Sequence, residues 1–261
     1  MIRIIRLLRI FFASAIFIPL SLIINILLIN KGLRLKILSS LNRDFAASIR
    51  HILGIKVNIQ GNMPMKNVTG SFIISNHLSY IDGFVLGSIF KVIYISKKQV
   101  RSWPFFGIIA RLGATVFIDR SRKDLSIFYV GEIKNLLSSG INILLFPEGT
   151  STNGRQLLPF QPIFFSSPIQ AKAEILPVNI FYTHLNGRNI AKEEKDKLHW
   201  YGQVPFHRHL WQVLSIKSMG VKLVIHNKIK AAEYENNALA RHSLALRAHD
   251  TISSKYPKTN T

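Results

Sequence analysis

Short apolar runs alternate along the chain with stretches in which apolar residues return every three or four positions. The runs at 71–75, 92–96, 114–118, 141–146, 173–181 and 221–227 read as strands. Between them, 81–88, 103–112 and 124–138 carry helical spacing. In the last of these Leu125, Phe128, Val130, Ile133, Leu136 and Leu137 recur near the helical period, and Ser138-Ser139-Gly140 supplies the stop. Residues 231–256 predict a final helix halted by Pro257, 37–53 form an amphipathic stretch, and KVNIQGN at 56–62 predicts a strand and a turn. Strands and helices in this alternation predict an α/β fold, with a mixed, largely parallel sheet flanked by helices.

The pattern changes at the N-terminus. Residues 10–30, IFFASAIFIPLSLIINILLIN, hold no charge over 21 positions. At about 1.5 Å per residue, a helix of that length crosses the roughly 30 Å of a bilayer's hydrocarbon core. Arg3, Arg6 and Arg9 precede the run and Lys31, Arg34 and Lys36 follow it, so the flanking charge sets no orientation. Pro19 predicts a kink in the middle. A kinked pair of half-helices, entering one leaflet and returning, accounts for both the proline and the matched flanks. A single span remains the alternative. The length of the run and the lack of a small-residue cleavage site argue against a removed signal, and the clustered arginines argue against a buried core helix. The predicted organisation is a hydrophobic membrane anchor at 1–36 followed by an α/β domain at 37–261.

Composition narrows the partners. The 261 residues contain no cysteine, which excludes a disulfide framework, thiol catalysis and Cys-based zinc sites. Lys and Arg number 34 against 13 Asp and Glu, a net charge of +21. Such a surplus suits a polyanion: nucleic acid, anionic lipid or an acidic carrier protein. Residues 1–81 carry ten of the Lys and Arg and one acid, Asp44, in the most hydrophobic third of the chain. Basic and apolar together point to anionic membrane lipids, with no nucleic acid expected.

Scarce acids draw attention to Asp82. The stretch ISNHLSYIDGF brings a strand to Asn76-His77 and places Asp82 five positions after the histidine. His77 follows a strand end, where α/β sheets carry their sites. A turn into a helix can bring the two side chains together. A carboxylate on one imidazole nitrogen fixes the tautomer and strengthens the other nitrogen as a general base toward a hydroxyl. Asn76 and Ser79 can cap the same turn. The bland reading is a loop histidine bonded to a helix-capping aspartate.

Further along, FPEGTSTNG at 146–154 leaves a strand with Glu148, Gly149 and Thr150 on a turn. Gly149 allows close approach of a ligand, and Glu148 can accept a hydrogen bond from an acceptor hydroxyl. VFIDR at 116–120 ends another strand at Arg120, a fork-shaped donor suited to phosphate, or to a salt bridge with Asp119. Lys97 and Lys98 form a basic pair at a third strand end, and WPFFG at 103–107 can line an acyl channel or pack as core.

In this order the blocks resemble the lysophosphatidic acid acyltransferase and glycerol-3-phosphate acyltransferase superfamily. Its N-H-x4-D block is matched by Asn76, His77 and Asp82; its second block by Lys97, WPFFG and GATVFIDR; its F-P-E-G-T by 146–150; and its apolar Pro-Val element by LPVN with Pro177. The resemblance implies that His77, oriented by Asp82, deprotonates an acceptor hydroxyl. The acyl group then passes directly from acyl-CoA or an acyl carrier protein to a lysophospholipid-type acceptor, with no metal and no cofactor beyond that donor. It further implies substrate-binding roles for Asn76, Lys97, Arg120, Glu148, Gly149, Thr150, Ser151 and Pro177. The implied location is the inner membrane, with the α/β domain on the cytoplasmic side, where acyl thioesters are made.

One departure bears on the acceptor. Many phosphate-accepting members read F-P-E-G-T-R-S, whereas here Ser151 follows Thr150, and Arg155 is the next cation. FPEGTSTNG with LLPF, and WYGQVPFHRHLWQVL at 200–214, look like the branch that acylates lyso-ornithine lipid. His207 and His209 in that stretch are expected at the surface or an interface. The rival readings are a basic membrane scaffold without catalysis and a nucleic-acid-binding protein; the intact His77, Asp82 and Glu148 oppose the first and the uncharged N-terminal run opposes the second.

Overall fold

The computed structural model describes residues 1–61, 68–119 and 126–256. Two helices lead: α1 (Ile2–Leu27) and α2 (Lys31–Ile52), joined by a short turn whose Asn30 side chain caps α2 by accepting from the Leu33 amide at 3.0 Å. Then come β1 (Ile55–Gly61), β2 (Phe72–Ser75), α3 (Ile81–Gly87), β3 (Val92–Lys97), α4 (Phe106–Leu112), β4 (Val116–Ile118), α5 (Ser126–Ser138) and β5 (Asn142–Leu145). The rest is α6 (Ser166–Ala171), β6 (Glu174–Leu185), β7 (Arg188–Asn189), α7 (Phe206–Val213), β8 (Met219–Ile225), β9 (Ile229–Lys230) and α8 (Ala238–Ser253).

Among the described residues the strands form one sheet in the order β1-β8-β6-β2-β5-β3-β4, with β7 and β9 also on β6. β6, β2, β5, β3 and β4 run parallel; β8 pairs antiparallel with β6 and parallel with β1. The mixed, largely parallel sheet predicted from the sequence is thus the observed one. Side-chain alternation divides the core. Ile73 of β2 faces a cluster with Ile81, Val85 and Phe45, while its neighbours Phe72 and Ile74 face Ile133, Phe165 and Ala248 on the opposite side. All three β2 residues are fully buried, each contributing about 1.5–3 kcal/mol.

The N-terminal expectation needs correction in one respect. α1 runs unbroken through Pro19, and the chain reverses at 28–30 rather than at the proline. Pro19 lies on the exposed face, as does Ala15, whose carbonyl the proline leaves without its amide partner, so the missing bond is not in the core. The other face of α1 is docked. Phe17 packs on Phe45 of α2 with ring centroids 4.6 Å apart, and Asn25 donates to the Leu112 carbonyl at 3.0 Å. Arg6 is buried and donates to the carbonyls of Leu214, Ile216 and Lys217. The boundary expected between residues 36 and 37 falls inside α2. α1 is long and apolar enough to cross a membrane, yet only 17% of its most apolar stretch is covered by the protein.

Other differences are local. The expected helix at 231–256 is a short 3-10 turn, Ala231–Glu233, followed by α8, whose start is set by the Asn237 side chain accepting from the Ala240 amide at 2.8 Å. The segment 103–112 begins as turns and becomes helical only at Phe106. Residues 124 and 125 of the expected 124–138 helix lie outside the described residues.

Candidate active site

The carboxyl ends of β2, β5 and β3 lie side by side, and each supplies a loop to one cavity of about 750 Å³. His77 sits two residues past β2, and Asp82 occupies the first turn of α3. His77 Nδ1 lies 3.0 Å from Asp82 Oδ2, with the imidazole 19% exposed and the carboxylate fully buried. The same Oδ2 accepts from the backbone amides of Leu78 at 2.6 Å and Ser79 at 2.8 Å. The carboxylate thus closes the turn that leads into α3 while holding the imidazole. Tyr182 of β6 donates its hydroxyl to Asp82 Oδ1 at 2.7 Å. With Nδ1 held by a carboxylate, the tautomer is fixed with the Nε2 lone pair free, and His77 lines the cavity. Phe146 stacks on the imidazole, centroids 4.0 Å apart and planes 14° from parallel.

The His77 loop is tied down at its backbone as well. Its amide donates to Glu148 Oε1 at 2.7 Å, and its carbonyl accepts from the Thr152 amide at 2.9 Å. Asn76 is fully buried and exchanges two hydrogen bonds with the Ile180 backbone, at 3.0 and 2.9 Å, so its amide serves as an extra rung toward β6. Glu148 is buried, and its second oxygen accepts from the Leu158 amide at 3.0 Å. Burial raises its carboxyl from 4.5 to about 7, the two backbone donors opposing that shift and the Asp82 charge adding to it. The turn that carries it closes with the Gly149 amide on the Phe146 carbonyl at 3.0 Å, and Gly149 takes a φ of 77°, open to glycine at no steric cost.

The expected binding residues divide into three groups. Lys97, Gly149, Thr150 and Ser151 line the cavity with His77. Asn76, Glu148 and Pro177 stand behind its wall and act on the backbone. Pro177 lies in β6 opposite Ile74, its carbonyl accepting from the His226 amide at 3.1 Å; the amide it lacks falls where β8 has ended and β9 has not begun. Arg120 lies outside the described residues; its neighbour Asp119 pairs with Lys98 at 3.0 Å. The rest of the lining is largely apolar, from Phe17 of α1 and Phe45 of α2 to Phe84 of α3.

Trp103 and Phe106 of WPFFG line the cavity, as one of the two sequence readings has it, and sequence reasoning missed the aromatic residues Trp200 and Phe206 that pack with them there. Trp103 and Phe106 of the WPFFG stretch meet Phe206 of α7 at 5.2 and 5.1 Å, and Tyr80 meets Trp200 and Phe206 at 5.7 and 4.9 Å. His207 is exposed as expected, but His209 is buried beneath this cluster with Nδ1 3.2 Å from the Tyr80 hydroxyl. That burial lowers the imidazole to about 4 and makes it a neutral packing residue. The signal was the 3.6-residue spacing of Phe206, His209, Leu210 and Val213, a helix too short to stand out.

A family model described as Acyltransferase matches residues 56–181, which hold the His77 loop, the Glu148 turn and Pro177. The 1-acyl-sn-glycerol-3-phosphate acyltransferase of Neisseria gonorrhoeae is 30% identical over 185 residues, covering 70% of this chain and 69% of that relative. The chain belongs to the acyltransferase family. Another acyltransferase, the lyso-ornithine lipid O-acyltransferase of Brucella abortus (strain 2308), is 33% identical over 177 residues, 65% of this chain. The match spans 66% of that relative's own length, just short of two thirds. Among solved acyltransferase structures, that of the 1-acyl-sn-glycerophosphate (LPA) acyltransferase PlsC from Thermotoga maritima matches with a TM-score of 0.60 over 98% of this chain and 97% of that one. Identity there is 18%, so this likeness is one of fold.

Proposed function

We propose that this acyltransferase-family chain moves a fatty acyl group from an acyl thioester, acyl-CoA or acyl carrier protein, to the free hydroxyl of lyso-ornithine lipid at a membrane surface. The observation that carries the reading is the 3.0 Å contact between His77 Nδ1 and a fully buried Asp82, with the imidazole opening into a mainly apolar cavity. His77 Nε2 takes the proton of the acceptor hydroxyl as its oxygen attacks the thioester carbonyl. The C–O bond forms, the C–S bond breaks, and the imidazolium returns the proton to the departing thiolate. No acyl-enzyme is needed.

Two observations favour lyso-ornithine lipid over 1-acylglycerol-3-phosphate. Ser151, not an arginine, lines the cavity at the step after Thr150, which suits a head group with less negative charge than a phosphate monoester. The lyso-ornithine lipid relative is also matched at higher identity than the phosphate-accepting one, 33% against 30%. The membrane reading rests on α1, whose exposed face carries Ile4, Leu8, Phe11, Phe12, Ile23 and Leu27. A helix docked by one face and apolar on the other suits insertion into one leaflet, with the cationic flanks on anionic head groups. The cytoplasmic leaflet of the inner membrane is the one that thioester donors reach.

Thiol release from acyl-CoA and from acyl carrier protein, measured with lyso-ornithine lipid and 1-acylglycerol-3-phosphate as acceptors, tests the whole reading. Acceptor-dependent release that His77→Ala lowers by about a hundredfold or more is expected; full turnover in that variant would falsify the base assignment.

A further inference from the structure

The Asp82 carboxylate receives four hydrogen bonds, and the turn from His77 to α3 accounts for three of them. The fourth comes from a hundred residues away: the Tyr182 hydroxyl, 2.7 Å from Oδ1, the oxygen that no other donor among the described residues reaches. We propose that Tyr182 is a positioning residue for acyl transfer. Its hydroxyl fixes the Oδ1 edge so that Oδ2 stays in line with His77 Nδ1, and it draws charge from the carboxylate that faces the imidazole. The proposal rests on the reading of His77 as general base and adds a third member to that pair.

The local sequence shows why the hydroxyl is more than packing. Leu176, Val178, Ile180 and Tyr182 alternate along one face of β6 and belong to one apolar cluster. Three are aliphatic, and a phenylalanine would continue the row. A phenol only 5% exposed must satisfy its hydroxyl, and here the group that satisfies it is the carboxylate that orients the base. The strand carrying it pairs with β8 through this stretch and is held on its other edge by the Asn76 side chain at Ile180, so the ring has a rigid mount. The register shift comes directly afterwards, between Tyr182 and His184, and leaves Tyr182 in regular alternation opposite Val221. Burial first, and the Asp82 charge second, push the phenol well above its ordinary range, so it is a permanent donor.

Other titratable groups surround the pair and must be kept apart from it. Glu148 holds the His77 amide. His199, with Nδ1 2.9 Å from the Asn153 carbonyl, has its ring 5.8 Å from that of Tyr182. Tyr80, which bonds His209, lies at the start of α3; Tyr256 follows α8; Lys97 lines the cavity at the end of β3. None of these bonds Asp82 Oδ1 directly.

The test is the pH profile of kcat/KM for thiol release by the full chain in mixed lipid–detergent micelles. Wild type is compared with Tyr182→Phe and with a chain carrying 3-fluorotyrosine at position 182, which keeps the ring and is a stronger donor. Without the hydroxyl, the carboxylate keeps more charge and holds the imidazolium proton more firmly. The acid limb should move up by roughly half to one pH unit in Tyr182→Phe, and it should move down in the fluorinated protein. In an Asp82→Asn background, Tyr182→Phe should leave the limb in place, because no charge remains to be tuned. A role confined to packing would lower Tm without moving the limb. An unmoved limb in a folded Tyr182→Phe protein overturns the proposal, as does an equal shift in the Asp82→Asn background. If Tyr182→Phe does not fold, an unmoved limb in the fluorinated protein decides against it alone. Retained turnover in His77→Ala would instead overturn the base reading, whatever position 182 does.

Discussion

Replacing Asp82 by Asn removes one negative charge from the site and exchanges one acceptor oxygen for a donor. The structure dictates which oxygen. The amides of Leu78 and Ser79 reach Oδ2 at 2.6 and 2.8 Å and cannot turn away, so the asparagine must offer them its carbonyl. Its NH2 then faces the Tyr182 hydroxyl, which can rotate its hydrogen aside and accept. The one donor that loses its acceptor is the rotated Tyr182 hydroxyl, and the loss of stability is about 1–3 kcal/mol. His77 Nδ1 keeps an acceptor at 3.0 Å, so the tautomer with Nε2 free survives. What disappears is the attraction between carboxylate and imidazolium. At a charge separation of about 4 Å and an effective dielectric of about 20 that attraction is about 4 kcal/mol, which bounds the loss in kcat/KM at about a thousandfold. A loss between about a hundredfold and a thousandfold is expected, less than the roughly ten-thousandfold that a reversed tautomer costs. Acceptor-dependent thiol release and thermal unfolding, measured on the same preparations, give both numbers. Asp82→Ala leaves all four donors without a partner and should be clearly less stable than Asp82→Asn. Turnover within about threefold of wild type in a folded Asp82→Asn protein would refute the reasoning, and so would equal stability of the two variants.

Three further outcomes follow from other parts of the molecule. Burial raises Glu148 from 4.5 to about 7, so its proton is held more tightly in the folded chain; that stabilisation is complete below about 4.5 and fades as pH climbs through 7, a change of about 3 kcal/mol. Melting temperature should fall over that interval in wild type and stay flatter in Glu148→Gln, and identical slopes would remove Glu148 from the account. Arg6→Met leaves the carbonyls of Leu214, Ile216 and Lys217 without their donor and should cost about 2–3 kcal/mol in detergent unfolding, with no loss counting against the α1 clamp. Ser151→Arg places a cation at the cavity wall and should improve kcat/KM for 1-acylglycerol-3-phosphate over lyso-ornithine lipid by about tenfold; an unchanged ratio would show that this wall does not meet the head group.

The chain announces some of this plainly. β2 and β5 are short apolar runs that end where the chemistry begins, and the five-position interval from His77 to Asp82 is closed by the turn it predicts. Other parts are silent because their meaning depends on distant partners. Tyr182 stands a hundred residues from Asp82, and in sequence it is one more aromatic residue in a strand. Glu148 reads as a residue that meets an acceptor, whereas both of its oxygens serve backbone amides behind the wall. Asn76 reads as a turn cap and works as a rung between strands, because only the fold brings Ile180 to it. His209 looks like a surface residue beside His207, but half a turn of helix separates exposure from burial. Pro19 marks a break by local rules, and the docked face of α1 overrides it.

The loop bearing His77 is fastened at four points: through Asn76 to β6, through its own amide to Glu148, through its carbonyl to Thr152, and through its ring to Asp82. Freezing such a segment is ordinarily a cost levied when a ligand arrives; here it was met during folding. Cutting any one tether should therefore return that ordering to the encounter with substrate, and kcat/KM for the lipid should fall although the chemical groups are all still present.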